Sequence, residues 1–405
     1  MAQDPNPLIR KYRTADATVT VTADGAPLAG REVVVAQRNH KFLFGCTGFE
    51  FGAAAEPSVS ELWLDLFNVA TLPFYWGRFE PVRGRPDTER LRRTAHWFVD
   101  RGCRVKGHPL TWHTVTADWL MDLSNADIAR EQAARIRREV ADFAGLIDMW
   151  DVINEVVIMP IFDKYDNGIT RICRELGRIP TVRMVFDAAR EVNPHATLLL
   201  NDFDMSAAYE CLIEGVLEAG IAIDALGLQS HMHQGYWGEE KTLGILERFS
   251  RYGLPIHFTE TTIVSGDLMP PEIVDLNDFQ VTEWPTTPEG EVRQADEVVR
   301  HYQTLLSHPS VQAITYWGLS DGGWLGAPGG FVRADGTPKP SYEALRALIK
   351  DDWWLKPTTM VTDAEGGLQF NGFLGEYVVS VAGQATATFR LDRPGEAAVA
   401  VDLPV

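Results

Sequence analysis

The chain has 405 residues, of which 45% are hydrophobic and 23% charged, enough to bury one large core of about 250–300 residues with smaller appendages. A formal net charge of −19 repels phosphate backbones and anionic bilayers, which argues against nucleic acid and membrane as partners. No apolar run reaches transmembrane length, and the opening Met1-Ala2-Gln3-Asp4-Pro5 has neither the basic nor the apolar region of a secretory signal, so a cytoplasmic location is expected.

In chain order, residues 17–23 and 32–37 read as two short strands around the turn Asp24-Gly25-Ala26-Pro27, a β lead-in occupying residues 1–40. Residues 41–352 alternate apolar runs with amphipathic stretches. Eight candidate strands fall at 42–45, 67–72, 105–110, 147–154, 196–202, 222–229, 256–261 and 313–318, with helices at 89–101, 125–143, 181–191, 243–252 and 291–306. Ser124, with Asp127 three residues on, marks the start of the second helix. Eight such units predict an α/β fold of the (β/α)8 TIM-barrel type, and the lack of a Gly-rich phosphate loop after the first strand argues against an open doubly wound sheet. From 353 to 405 short β-like runs follow at 358–361, 368–370, 376–381, 385–391 and 397–401, predicting a small C-terminal β module that serves packing, sugar binding or dimerisation. Cys46, Cys103, Cys173 and Cys211 have no ligand spacing and are expected to be buried thiols.

In such a barrel the reacting groups sit at the C-terminal ends of the strands. Those positions hold His108, Trp112 and His113 after strand 3, Asp151, Asn154 and Glu155 on strand 4, and Asn201 and Asp202 on strand 5. Strand 6 brings Gln229, Ser230, His231 and His233, strand 7 Glu260, and strand 8 Trp317, Asp321 and Trp324. Any one of them has an ordinary structural explanation. Together they form a polar rim with two glutamates, each closing an apolar strand, and glycoside hydrolysis needs two carboxyl groups flanking the bond to be broken. A desolvated glutamic acid holds its proton near neutral pH, the requirement for the acid role. Flat tryptophan faces beside them suit the C–H faces of sugar rings. Two carboxylates suffice for this chemistry, so no metal or organic cofactor is expected. Two other readings compete: a metal hydrolase using the histidines, disfavoured because residues 42–46 carry no histidine pair, and a sugar-binding barrel without turnover.

These residues resemble the family 10 glycoside hydrolases, the xylanase family. Gly107-His108-Pro109-Leu110-Thr111-Trp112-His113, Trp150-Asp151-Val152-Ile153-Asn154-Glu155, Leu200-Asn201-Asp202-Phe203, Gly227-Leu228-Gln229-Ser230-His231, Thr259-Glu260 and Thr315-Tyr316-Trp317-Gly318 follow that family's order over residues 42–350. The resemblance implies a retaining mechanism with Glu260 as nucleophile and Glu155 as acid/base, their carboxyl groups ~5–5.5 Å apart. It further implies that Asn154 binds the sugar 2-hydroxyl, that His231 orients Glu260, and that His113, Gln229 and Trp317 line the pocket for the attacked sugar. His108, Trp112, Asn201 and Trp324 complete the expected substrate-binding set. The chain departs from the pattern after strand 2, where Tyr75 and Trp76 stand near the family's Glu-Asn pair and Lys and are expected to contact substrate in their place. Thr261-Thr262 replaces a common Leu-Asp, and Trp324 comes one residue early. Two inserts, 159–167 and 264–290, are expected to wall the cleft, which favours short glycosides over polymer. The expected partner is thus a carbohydrate, xylan or a smaller β-glycoside; self-association into a homo-oligomer stays open.

Overall fold

The computed structural model describes residues 6–51, 57–381 and 386–404. Its strands are β1 (Thr14–Ala23), β2 (Ala26–Pro27), β3 (Glu32–His40), β4 (Leu43–Thr47), β5 (Val69–Pro73), β6 (Arg104–His108), β7 (Met149–Asn154), β8 (Thr197–Asp202), β9 (Ala225–Met232), β10 (Ile256–Ile263), β11 (Val311–Tyr316), β12 (Thr358–Val361), β13 (Gly367–Phe373), β14 (Gly375–Ser380), β15 (Thr386–Leu391) and β16 (Gly395–Leu403). Strands β4 to β11 close in sequence order into a parallel barrel, β11 pairing with β4. The eight expected strands are all present, and the chain has the (β/α)8 fold. Their legibility has a simple cause: β7 and β10 are buried at every position, and a strand covered on both faces reads as a continuous apolar run.

The helices follow the same logic. Ser124 caps Asn125–Asp142, its hydroxyl accepting from the Asp127 N–H at 3.2 Å. Helices Pro57–Leu66, Gly168–Leu176, Ala207–Glu218 and Pro340–Ala347 add to the five read from periodicity. Cys46, Cys103 and Cys173 are buried, but Cys211 is exposed on the outer face of Ala207–Glu218, correcting the expectation of four buried thiols.

The two ends of the chain make one unit rather than two. One sheet runs β13-β1-β16 with β2 beside β1; the other runs β12-β3-β14-β15. Thr14 pairs with Phe373 antiparallel and Ala15 with Gly395 parallel, so the lead-in and the C-terminal strands interleave. Val19, Val21, Val35, Tyr377, Phe389 and Leu391 share a single apolar core between the sheets. Ala385, expected to open the fourth C-terminal strand, lies outside the described residues. Arg13 fastens this unit to the barrel floor by donating to the carbonyls of Leu306, His308 and Val311. Among the described residues, no helix is long and apolar enough to cross a membrane, and no group of three His, Cys, Asp or Glu is placed to hold a metal ion.

Candidate active site

Strand β7 delivers Asn154 to the barrel mouth, and the next residue, Glu155, has φ +60°. That left-handed conformation costs a non-glycine residue about 1–2 kcal/mol. Two backbone hydrogen bonds hold it: the Glu155 N–H donates to Asn201 O at 2.9 Å, and Met159 N–H donates to Glu155 O at 3.2 Å. The turn brings the carboxyl under three donors. Trp112 Nε1 reaches Oε2 at 2.7 Å, and Asn154 Nδ2 and Gln229 Nε2 each reach Oε1 at 3.2 Å. Burial, reinforced by the charge of Glu260, pushes the Glu155 carboxyl up to about 8 despite those donors.

Glu260, on β10, is 5% exposed yet is driven the other way. Burial alone would raise its pKa, but the charges of His108 and His231 and the hydrogen bond from His231 hold it below the usual carboxylate range. His231 Nε2 lies 3.1 Å from Oε2, and His231 Nδ1 lies 3.0 Å from Thr262 Oγ1. His108 Nε2 lies 3.8 Å from Oε1, while its Nδ1 meets Asp151 Oδ2 at 2.8 Å. Lys106 Nζ reaches the same Asp151 oxygen at 2.7 Å, so a buried charge chain runs from Lys106 to the nucleophilic position.

Asn201 joins the two halves. Its Nδ2 donates to Asn154 Oδ1 at 2.7 Å and to Glu260 Oε1 at 3.0 Å, while its Oδ1 accepts from Thr259 Oγ1 at 2.6 Å. Gln229 Nε2 also donates to Asn154 Oδ1, at 3.1 Å. The fit depends on Gly227, since a Cβ there would lie 2.3 Å from Asn201 Oδ1.

Aromatic rings wall the mouth. Trp317 stands edge-on to His108 at 5.1 Å and to Phe49 at 5.5 Å; Phe49 meets Tyr75 at 6.0 Å. Tyr75 in turn packs on His108 and on Trp112, both at 5.6 Å. Burial, then the charges of Glu260 and Glu155, keep the Tyr75 phenol well above its ordinary range. Trp324 lies 4.3 Å from His231 and 5.0 Å from His233.

One expected contact turns elsewhere. Trp76 is buried, donates Nε1 to Glu80 Oε2 at 3.2 Å, and packs under the Arg135 guanidinium at 4.8 Å. It opens the helical turn Trp76–Phe79, and a helix rotates each successive side chain by about 100°, so Tyr75 and its neighbour face different ways. His113 packs on Phe162 at 4.5 Å, and burial drops it to about 4, leaving it neutral; neither carboxylate is among its hydrogen-bond partners. Conversely, Phe49 and Lys106 belong to the site without having been read from the sequence. Phe49 lies two residues past the end of β4, where a barrel strand empties into the mouth, and Lys106 precedes His108 by two, the spacing that shares a strand face.

The two inserts meet over the rim. Lys164, in the loop after β7, places Nζ 2.7 Å from Asp275 Oδ2 and 2.6 Å from Asp278 Oδ1 in the loop after β10. Gln234, after β9, donates to the carbonyls of Pro270 and Ile273.

Comparison with known proteins agrees with this geometry. Residues 50–348 match the model of glycosyl hydrolase family 10. The chain is 26% identical over 313 residues to endo-1,4-beta-xylanase B of Thermotoga neapolitana, covering 70% of this chain and 81% of that protein. It is 25% identical over 403 residues to anti-sigma-I factor RsgI6 of Acetivibrio thermocellus, covering 96% of this chain and only 48% of the relative. The fold resembles the crystal structure of native xylanase 10B from Thermotoga maritima, with a TM-score of 0.62 at 22% identity, covering 77% of this chain and 96% of that one.

Proposed function

Because the chain belongs to glycosyl hydrolase family 10, a family of retaining glycosidases, we propose that it cleaves the β-1,4 bonds of xylan or xylo-oligosaccharides, with Glu260 as nucleophile and Glu155 as acid/base. One observation carries the assignment: a single amide network holds two glutamates, Glu260 buried and Glu155 half-buried, whose pKa values are pulled in opposite directions.

In the first step a Glu260 oxygen attacks the anomeric carbon while Glu155 gives its proton to the departing oxygen, producing a glycosyl-enzyme ester. Once esterified, Glu260 carries no charge. The repulsion that helped to keep Glu155 protonated disappears, its pKa falls, and the carboxylate left behind is suited to accept a proton from water in the second step. That water attacks the anomeric carbon and releases Glu260. Asn154 sits between the carboxylates where a sugar 2-hydroxyl would lie, and Trp317 with Tyr75 would flank the ring. Catalysis is assigned to barrel residues 41–352, with the β unit built from both chain ends as its support.

Glu260→Ala is expected to abolish turnover of every β-xyloside. Glu155→Ala should lose about 10²–10⁴-fold on substrates with poor leaving groups yet retain activated aryl xylosides, and with azide should yield a β-xylosyl azide. Full activity of Glu155→Ala on unactivated xylosides would sink the role given to it.

A further inference from the structure

The acid/base residue stands just past the end of β7 and the nucleophile on β10, with β8 and β9 between them along the barrel wall. The leaving group must depart from beside Glu155, and the loop that starts behind Glu155 is the one that reaches across. Its base is rigid. Asn167 accepts from Thr170 N–H at 2.8 Å, Thr170 Oγ1 donates to Met159 O at 2.9 Å, and Phe162 seats against His113. From that base Lys164 projects to Asp275 and Asp278. The acceptor is prepared too: Asp275 Oδ1 is fixed by Asn277 N–H at 2.8 Å and Nδ2 at 2.9 Å, leaving Oδ2 for the lysine. The insert carrying it is tied to Gln234 and, through Trp284 against His233 at 5.9 Å, to the rings beside His231.

From this we infer that Lys164, gripped by Asp275 and Asp278, is a specificity-determining residue: the clasp bridges the rim over the ends of β8 and β9, narrows the leaving-group end of the cleft, and biases the enzyme toward short β-xylosides over long xylan chains. The inference rests on the hydrolase reading above. A groove open at that end admits a polymer threaded through it; a bridged one admits a chain end with a small leaving group. Both partners of the clasp are surface charges, so it can open without disturbing the carboxylates beneath, and salt weakens it.

The test compares kcat/KM for para-nitrophenyl β-xyloside with that for xylohexaose. Lys164→Ala is expected to leave the aryl xyloside rate unchanged and to raise the xylohexaose rate by about two- to fivefold, the range an exposed ion pair can hold shut. Asp275→Asn with Asp278→Asn should do the same from the other side, and reversing all three charges together should restore the original ratio. An unchanged ratio in both single-sided variants, with aryl xyloside turnover intact, overturns the clasp, as does internal cleavage of xylohexaose by the unaltered enzyme at the variants' rate. Failure of the unaltered enzyme to cleave either substrate would instead overturn the hydrolase reading.

Discussion

Protonation of Glu155 governs the alkaline side of the reaction and ionisation of Glu260 the acidic side. With Glu155 near 8, kcat/KM is expected to fall as pH rises through that value; with Glu260 held below its ordinary range, the acid limb should lie below about 4.3. The Trp112 hydrogen bond lowers Glu155, so Trp112→Phe should move the alkaline limb upward, measurable in a pH–rate profile; a limb that moved down would contradict the geometry. The same shift has a stability sign. A carboxyl whose folded pKa is raised contributes stability that is present below about 4.3, its unfolded value, and is lost as pH climbs through the folded value. Asp202, pushed up to about 7 by burial, acts in the same direction, so above about pH 6.5, where the buried histidines held near 3 to 4 no longer add stability with rising pH, the melting temperature should decline up to about pH 8, and Glu155→Gln should flatten the decline.

Strands and loops set which of these side chains meet. Gly227 on β9 lets the backbone approach Asn201, and Gly227→Ala would drive a methyl group into the amide that joins Asn154 to Glu260. Overpacking of this kind costs about 1–3 kcal/mol, and here kcat should fall more than stability explains, which kinetics alongside calorimetry would separate. The strands themselves were legible because burial on both faces leaves a long apolar signature. Ala207–Glu218 was not, although Ser206 caps it through the Ala208 N–H, because its apolar interior lacks a polar stripe regular enough to show the period. The site was legible where a strand ends in chemistry, as at Glu155, Glu260 and His231. It was less so where direction matters: adjacent Tyr75 and Trp76 look equivalent in sequence, and only the helical turn sends one to the mouth and the other beneath Arg135.

At the scale of the whole molecule, the β unit pairs strands from the two ends of the chain that lie more than 320 residues apart, pairing that no local pattern announces. Arg13 is one of its clamps on the barrel, with three carbonyls as acceptors. Arg13→Ala is expected to destabilise by about 2–4 kcal/mol, seen as a lowered melting temperature, with kcat unchanged since the mouth lies at the opposite end. A loss of activity without a loss of stability would point to coupling through the barrel that nothing in the contacts suggests.

The order of translation gives the first strand an awkward history. β1 leaves the ribosome early, yet its parallel neighbour β16 is added some 380 positions later, a wait on the order of 20–80 s at ordinary elongation speeds. For most of that interval its Val19 and Val21 have no complete core to enter and both its edges lack their main neighbours, β13 arriving only at Gly367–Phe373, the state in which strands find each other in trans. Newly made copies on one message are therefore most vulnerable to sticking together just before β16 emerges, and slowing synthesis of the intervening residues would lower the soluble yield even though the completed fold is unaltered.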